Sequence, residues 1–258
     1  MSSERAAREP MTTPESVWID GTDLREARTG PFHVLLLRIG EAARTTDRRT
    51  MAASFALRFG WSSAIAIAPY LRSRWVPDIA LDNISFAFSR STAFERAALR
   101  AVRGVVVAGD PRAGDASIST VPDVGALRRA LRDALVAQST PVVAALERWS
   151  GFAPRGTWGL LTSAWAAQFT AIAEPRVDQR ALVPEIEAFF AGDDLVALMQ
   201  PRMHAVSIAG ATHLYQRRAS CCRLYLVPGG ELCASCPLVG DDERLARNRD
   251  WLRSQLAR

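Results

Sequence analysis

The chain has 258 residues, of which 48% are hydrophobic and 23% charged, so it has enough apolar side chains to bury a core of its own. Its net charge is +5 and every one of its basic residues is arginine, which favours an anionic partner and is compatible with peripheral association with a membrane surface. We find no arginine block or aromatic-interleaved basic stripe, so we expect no nucleic acid among its partners.

The first predicted segment, residues 1–16, is polar, contains Pro10 and Pro14, and lacks an apolar run. These features predict a disordered N-terminal tail and not a secretory signal. We therefore expect a cytoplasmic protein, in which clustered cysteines hold a metal or carry out redox chemistry more often than they form disulfides.

Residues 17–215 form the predicted body. Residues 51–71 are its most apolar stretch, but Arg58 and Gly60 interrupt the run, so a buried helix is favoured over a membrane span. Residues 83–89 alternate in the manner of a strand, and residues 103–110 form a second short apolar run. We expect these two runs to pair in one small sheet and the polar residues after them to form a loop.

Helical patterns dominate the rest of the body. One helix is predicted over residues 122–138, and a second is predicted to begin at Thr140 and Pro141, a capping residue followed by proline in the first turn. Two short helices separated at Gly192 follow over residues 184–199, and residues 241–258 predict a C-terminal helix. A further helix carries an apolar stripe at helical spacing, typical of a core face: Trp158, Leu161, Trp165, Phe169 and Ile172. The predicted fold is mainly α with a small β component (α+β).

All the cysteines fall within the short span of residues 216–240: Cys221, Cys222, Cys233 and Cys236. The residues between the two pairs, "RLYLVPGGEL", predict a β-hairpin, in which Pro228 and Gly229 suit the two central positions of a type II turn. A hairpin would bring the second cysteine pair back to the first, so that four thiolates converge on a metal centre.

The four cysteines could form two disulfides, a zinc site or an iron–sulfur cluster. Two disulfides are disfavoured by the expected compartment and by the strain of bridging adjacent residues. A four-cysteine zinc site normally uses two separated pairs, and Cys221 and Cys222 would point to opposite faces of an extended strand. A [2Fe–2S] cluster is wider than a single zinc ion, and the sequence favours it modestly. His204 and His213 precede the cysteines, so a Rieske-like centre with two His and two Cys ligands is also considered, but four cysteines already complete the ligand count.

The segment "RRASCCRLYLVPGGELCASCPL", residues 217–238, resembles the C-terminal signature of the FhuF-type ferric-siderophore reductases. Residues 141–169 are similar to that family's proline-containing helix and to its Trp-Gly helix start, here Trp158 and Gly159. The resemblance covers roughly residues 60–240. It implies a [2Fe–2S] cluster held by all four cysteines, and one-electron reduction of Fe(III) in hydroxamate-type siderophores in the cytoplasm.

Residues near the cysteines are predicted to tune the cluster or to dock the substrate: Arg217, Arg218, Arg223, Tyr225 and Trp158. In a hairpin, Arg223 and Tyr225 would share a face with Cys221, and the leucines on the opposite face, Leu224 and Leu226, would anchor the segment to the body.

No dinucleotide fingerprint or flavin motif is found, so we expect electrons from a separate ferredoxin, flavoprotein or small-molecule reductant. The ferric siderophore is the expected substrate. Two other hypotheses are an iron–sulfur redox or iron sensor that acts through a protein partner, and a zinc-stabilised binding module.

Overall fold

Helices build most of the protein, and the computed structural model describes residues 16–172 and 178–257. Within those residues the helices are α1 (Gly30–Ala42), α2 (Arg48–Trp61), α3 (Ala64–Ser73), α4 (Val124–Ser150), α5 (Pro154–Ala171), α6 (Val183–Phe190), α7 (Leu195–Leu198) and α8 (Asp241–Leu256). The strands are β1 (Val17–Asp20), β2 (Trp75–Pro77), β3 (Ile84–Phe88), β4 (Phe94–Leu99), β5 (Gly104–Val107), β6 (Ile118–Val121), β7 (Arg202–Ile208) and β8 (Ala211–Arg217). The mainly helical α+β class is confirmed. Of the predicted N-terminal tail, residues 1–15 lie outside the described residues.

Helices α2 and α5 pack against each other at the centre of the core. A Cβ atom at Gly60 would lie only 2.5 Å from the Cβ of Ala164, so glycine permits the close approach of the two helices. The stretch Arg48–Ser73 is long and apolar enough to span a membrane, and 67% of its most apolar window is buried inside the protein. This burial matches the predicted core helix, which the structure divides into α2 and α3.

Three small sheets flank the helices in the part of the chain that the structure describes. Strands β1, β3 and β4 form an antiparallel sheet, whereas β5 lies between β2, which is antiparallel to it, and β6, which is parallel. The strands predicted near residues 83–89 and 103–110 are confirmed as β3 and β5, but their pairing in one sheet is wrong. The predicted loop after β5 contains strand β6, whose four residues are too few for a periodic signal.

The two helices predicted around residue 140 are one helix, α4, with Pro141 in its interior. The Thr140 hydroxyl does not cap a helix start but donates a hydrogen bond to the Val136 carbonyl, 2.8 Å away. An interior proline costs about 3 kcal/mol. Buried Leu135, Val142 and Leu146 lie on both sides of it, and their packing offsets that cost.

Three helices are joined by one polar cluster. Arg128 of α4 donates two hydrogen bonds to the carboxylate of Glu185 in α6, at 2.7 and 3.0 Å, and the Tyr70 hydroxyl of α3 donates to the same carboxylate. Burial, with the hydrogen bond to Glu185, raises the pKa of Tyr70 to about 12. The cluster fixes the positions of helices that lie far apart in sequence.

The regular β-hairpin of the C-terminal region lies directly before the cysteines. Strands β7 and β8 pair through a two-residue turn at Ala209 and Gly210, both with positive φ, as tight hairpins require. Helix α8 packs on β7 and begins at Asp241, the residue at which the sequence predicts a terminal helix.

The hairpin predicted between the cysteine pairs is wrong. Residues 218–240 contain no strand, and one 3-10 turn, Leu224–Leu226, occupies the position of the first predicted strand. Arg223 has a φ of 62°, a left-handed conformation that breaks an extended chain at its start. The type II turn is confirmed, because Gly229 has a φ of 73° and the Gly230 N–H donates to the Val227 carbonyl at 2.9 Å.

Candidate metal centre

Residues 218–240, the cysteine segment, fold back on themselves through irregular backbone. The Arg218 N–H donates to the Ser235 carbonyl at 2.9 Å, which joins the beginning of the segment to its end. The Cys236 N–H donates to the Cys233 carbonyl at 2.9 Å and closes the second cysteine pair into a turn. The prediction that the second pair returns to the first is therefore confirmed, although a hairpin is not the means.

The four cysteines differ in their access to solvent. All four are free thiols, with Cys222 and Cys236 buried, Cys221 partly buried and Cys233 exposed. Cys222 belongs to the hydrophobic core itself. One side of the centre is thus rooted in the protein interior, while the sulfur of Cys233 reaches the surface.

Arg218 lies among the sulfurs. Its side chain is buried, and its guanidinium donates to the sulfur of Cys233 and, at 3.5 Å, to the sulfur of Cys222. Burial by itself would lower the pKa of Arg218, but the nearby sulfurs of Cys222 and Cys233 more than compensate, and the pKa is raised. Within the described residues its Nε has no hydrogen-bond partner. A buried cation in this position requires negative charge around it.

The thiols are close enough to influence one another. Burial raises the pKa of Cys221, and the neighbouring sulfurs of Cys236 and Cys222 raise it further. The Arg223 N–H opposes this effect by donating to the Cys221 sulfur at 3.4 Å. Thiolates crowded in this way repel one another, and a bound metal centre stabilises them as thiolates.

A second arginine approaches the sulfurs from the helical body. Arg58 of α2 is partly buried and interacts electrostatically with Cys222, while its guanidinium donates to the Ser54 carbonyl at 3.1 Å. Burial lowers its pKa and the charge of Cys222 opposes that shift. Sequence reasoning missed this residue. The available signal was a single arginine inside an otherwise apolar stretch.

The other predicted arginines hold the segment in place and do not contact sulfur through their side chains. The Arg223 guanidinium forms an ion pair with Asp47 at 2.9 Å and donates to the Thr50 hydroxyl at 3.2 Å. Arg217 donates to the Pro237 carbonyl at 3.0 Å. Of the three arginines proposed from the sequence to tune a cluster, the structure brings only Arg218 into the cysteine set.

The predicted strand faces do not exist, because Arg223 turns the chain. Tyr225 and Leu226 are exposed, so Leu226 is not the anchor that the alternating pattern predicts. Leu224 packs against the core as expected. Trp158 is only 7% exposed and packs edge-on against Trp165, which leaves its ring little surface for a docked ligand.

The histidines are held by other partners. The His204 ring lies 2.9 Å from the amide nitrogen of Asn248, and the His213 ring packs on Trp251. Burial lowers the pKa of both rings. Within residues 16–172 and 178–257, no three His, Cys, Asp or Glu side chains converge on a point where a single metal ion could be held, so the four thiols do not form a compact one-metal site.

Helices on both sides hold the cysteine segment. A Cβ atom at Gly159 would lie 2.8 Å from the Cβ of Ser220, so glycine at this position lets α5 touch the segment directly. The buried guanidinium of Arg244 in α8 donates to the Cys236 carbonyl at 3.0 Å, and Arg247 donates to the Leu232 carbonyl. These bonds fix the backbone on either side of the second cysteine pair.

The fold and site together define an α+β protein with a C-terminal sulfur-rich centre suited to iron–sulfur ligation. Residues 218–238 match the family model described as FhuF 2Fe-2S C-terminal domain. The chain therefore carries a FhuF-type [2Fe–2S] C-terminal domain, and the resemblance found in the sequence is confirmed for the cysteine segment. Its extension over the rest of residues 60–240 stays a prediction. No curated protein matches the chain.

The residues of this chain fit the cluster that the domain binds. Four thiols are the normal ligand set of a [2Fe–2S] centre, and the incompletely paired guanidinium of Arg218 lies where cluster sulfur would be negatively charged. The ligands that the resemblance implies are Cys221, Cys222, Cys233 and Cys236. Arg218 bridges the sulfurs of Cys222 and Cys233, and the sulfur of Cys221 interacts with those of Cys236 and Cys222.

Proposed function

We propose that the protein is a cytoplasmic ferric-siderophore reductase, which delivers one electron to Fe(III) held by a hydroxamate-type chelator. The FhuF-type domain supports the broader statement that the chain is a siderophore-iron reductase relative. The observation that carries the proposal is the solvent exposure of Cys233 beside three less accessible cysteines. It gives the centre one edge that a substrate can approach.

The chain's own residues supply charge and access. When bound, the [2Fe–2S] cluster supplies a one-electron redox couple. The buried guanidinium of Arg218 offsets negative charge on sulfur, and Cys222 roots the centre in the core. No general acid or base is needed, because the substrate's iron gains only an electron.

The substrate explains why reduction releases iron. Hydroxamate oxygens are hard ligands that hold Fe(III) tightly, and the lower charge of Fe(II) weakens those bonds. The electron comes from an external donor, for which we propose a reduced ferredoxin, a flavoprotein or a small-molecule reductant. The net charge of +5 suits an acidic redox protein.

Anaerobic reoxidation tests the proposal. The protein is purified without oxygen, reduced with dithionite, freed of excess reductant and mixed with a ferric trihydroxamate. We expect the half-spin EPR signal of the reduced protein to disappear, with one Fe(II) captured by a ferrous chelator for each electron lost. The gallium(III) complex of the same chelator is the control and should leave the signal unchanged.

The alternatives give different results. A reduced protein that keeps its EPR signal in the presence of ferric siderophores would contradict the reductase proposal and favour the sensor. A colourless protein that retains zinc would support the zinc-stabilised binding module. The Cys233→Ser variant should lose the iron–sulfur absorbance, since it removes one of the four ligands.

A further inference from the structure

A cavity of about 690 Å³ opens beside the exposed cysteine. It lies between the end of α2, the last turns of α5, strands β7 and β8, the turn at Cys233–Ser235 and helix α8. Its volume falls in the range typical of small-molecule sites. Cys233 itself forms part of the wall, so a molecule held there would lie against the solvent-facing edge of the centre.

Aromatic rings form much of the wall. Trp251 packs on His213 with ring centroids 5.6 Å apart and meets Tyr215 edge-on at 5.9 Å. Trp61, the last residue of α2, also lines the cavity. Trp61 and Trp251 remain 42% and 46% exposed, so part of each ring is accessible to a molecule held in the cavity.

Two residues of the wall also carry buried polar atoms that lack partners. The Tyr215 hydroxyl and the Gln216 side-chain oxygen are buried, and neither has a hydrogen-bond partner within the part of the chain that the structure describes. Both residues line the cavity. Buried polar groups are nearly always paired, so these two side chains hold unused hydrogen-bonding capacity beside the cavity.

The charge of the wall favours a ligand without net charge. Arg247 is the cationic residue of the lining, and its guanidinium is already paired with Glu243. No carboxylate lines the cavity among the described residues. A trianionic chelate would enter this site without compensating cations, at a high desolvation cost. A ferric trihydroxamate is uncharged, because three hydroxamate anions balance Fe(III).

We propose that this cavity is the docking site of the substrate, with Trp61, Trp251 and Tyr215 forming the aromatic wall that binds an uncharged ferric chelate against Cys233. The inference rests on the proposed function. It adds a binding site formed by the helical body, the β7–β8 hairpin and α8 together with the turn at Cys233–Ser235.

Calorimetric titration of the cluster-loaded protein with a gallium(III) cyclic trihydroxamate tests the site without electron transfer, because gallium(III) is not reduced under these conditions. We expect the wild-type protein to bind the complex and Trp251→Ala and Trp61→Ala each to weaken binding about tenfold or more. Trp251→Phe should recover most of the affinity. Trp18→Ala is the matched control, since Trp18 is 44% exposed and lies on β1. It should bind like the wild-type protein.

Visible absorbance and far-UV circular dichroism establish that each variant keeps its cluster and its fold. Unchanged affinity in both Trp61→Ala and Trp251→Ala would overturn the site. Equal affinity for a gallium(III) tris-catecholate, which is trianionic, would overturn the charge argument.

If the reduced wild-type protein is oxidised by a ferric trihydroxamate but does not bind its gallium analogue, the docking site is wrong and the reductase proposal stands. If gallium binding depends on both tryptophans but the ferric complex accepts no electron, the site stands and the reductase is wrong.

Discussion

At the scale of single residues, Arg218 connects the chemistry of the centre to its position in the fold. Its side chain is buried among sulfurs, whereas its neighbour Arg217 is partly exposed and bonds to a backbone carbonyl. The sequence places the two arginines side by side and offers no reason to separate them. Arg217 is the last residue of β8 and Arg218 follows it, so their side chains leave the backbone in different directions. That difference in direction decides which arginine contacts sulfur.

Replacing Arg218 should make the reduction potential of the centre more negative. Arg218→Gln keeps hydrogen-bond donors near Cys222 and Cys233 but removes the positive charge that offsets the sulfurs. We expect a shift of about 60 mV or more, which corresponds to about 1.4 kcal/mol for one electron. An EPR-monitored redox titration measures it, with Arg217→Gln as the control. A potential that moves equally in both variants would contradict a specific role for Arg218.

At the scale of elements, the sequence predicts regular structure well and the cysteine segment poorly. Helices α2 and α5 and strand β3 can be predicted because their buried residues recur with the period of a helix or of a strand. Residues 218–240 have no such period. Their path depends on side chains from α2, α5 and α8, which a local pattern does not contain. For the same reason the cavity wall, assembled from six separate parts of the chain, was not predictable.

The ion pair between Arg223 and Asp47 links the cysteine segment to the start of α2. Asp47 also caps that helix by accepting from the Arg49 N–H at 3.1 Å. The hydrogen bond from Thr50, together with the Arg223 guanidinium, overcomes the effect of burial and lowers the pKa of Asp47 to about 2. This pair is therefore a pH-sensitive contact between the segment and the body, and it is lost only as the pH falls towards 2.

Asp47→Asn should lower the free energy of unfolding by about 1 kcal/mol at neutral pH. The effect is modest because the Asp47 side chain is 41% exposed and solvent screens the ion pair. Since the folded-state pKa is lowered, the stabilisation is complete above about pH 4 and disappears as the pH falls towards 2. The asparagine side-chain oxygen can still accept from the Arg49 N–H and keep the helix cap, while the change removes the charge and the acceptor for Thr50 and Arg223.

Urea unfolding of wild-type and Asp47→Asn proteins at stepped pH measures the difference between them. Exposed Asp82→Asn serves as the control and should not differ from the wild-type protein at any pH. A difference that persists unchanged at pH 2 would show that the carboxylate charge is not its source.

At the scale of the whole molecule, a regular body holds a segment that has little secondary structure. The body buries its own hydrophobic core, while the cysteine segment is held by side-chain bonds to neighbouring helices and by its sulfurs. In segments of this kind, the free energy of metal binding often provides much of the free energy of folding. Loss of the cluster should therefore loosen residues 218–240 and leave the helices intact.

Trypsin provides a direct measurement, because this chain has no lysine and is cut only after arginine. After removal of iron by a chelator under reducing conditions, we expect cleavage after Arg223 to accelerate about tenfold or more. Cleavage after Arg90, in the turn between β3 and β4, should keep its rate, and far-UV circular dichroism should change little. Equal cleavage after Arg223 in both forms would show that the segment folds without its metal.

The contact at Gly159 has a consequence for the evolution and engineering of this domain. The family match spans residues 218–238, yet those residues rest on a glycine in α5, where a side chain would collide with Ser220. Transplanting the cysteine motif onto an unrelated helical scaffold would therefore fail unless the recipient supplied an equivalent gap. The cysteine motif therefore depends on α5 for its fold, and we expect proteins that carry this motif also to keep a small residue at the position of Gly159.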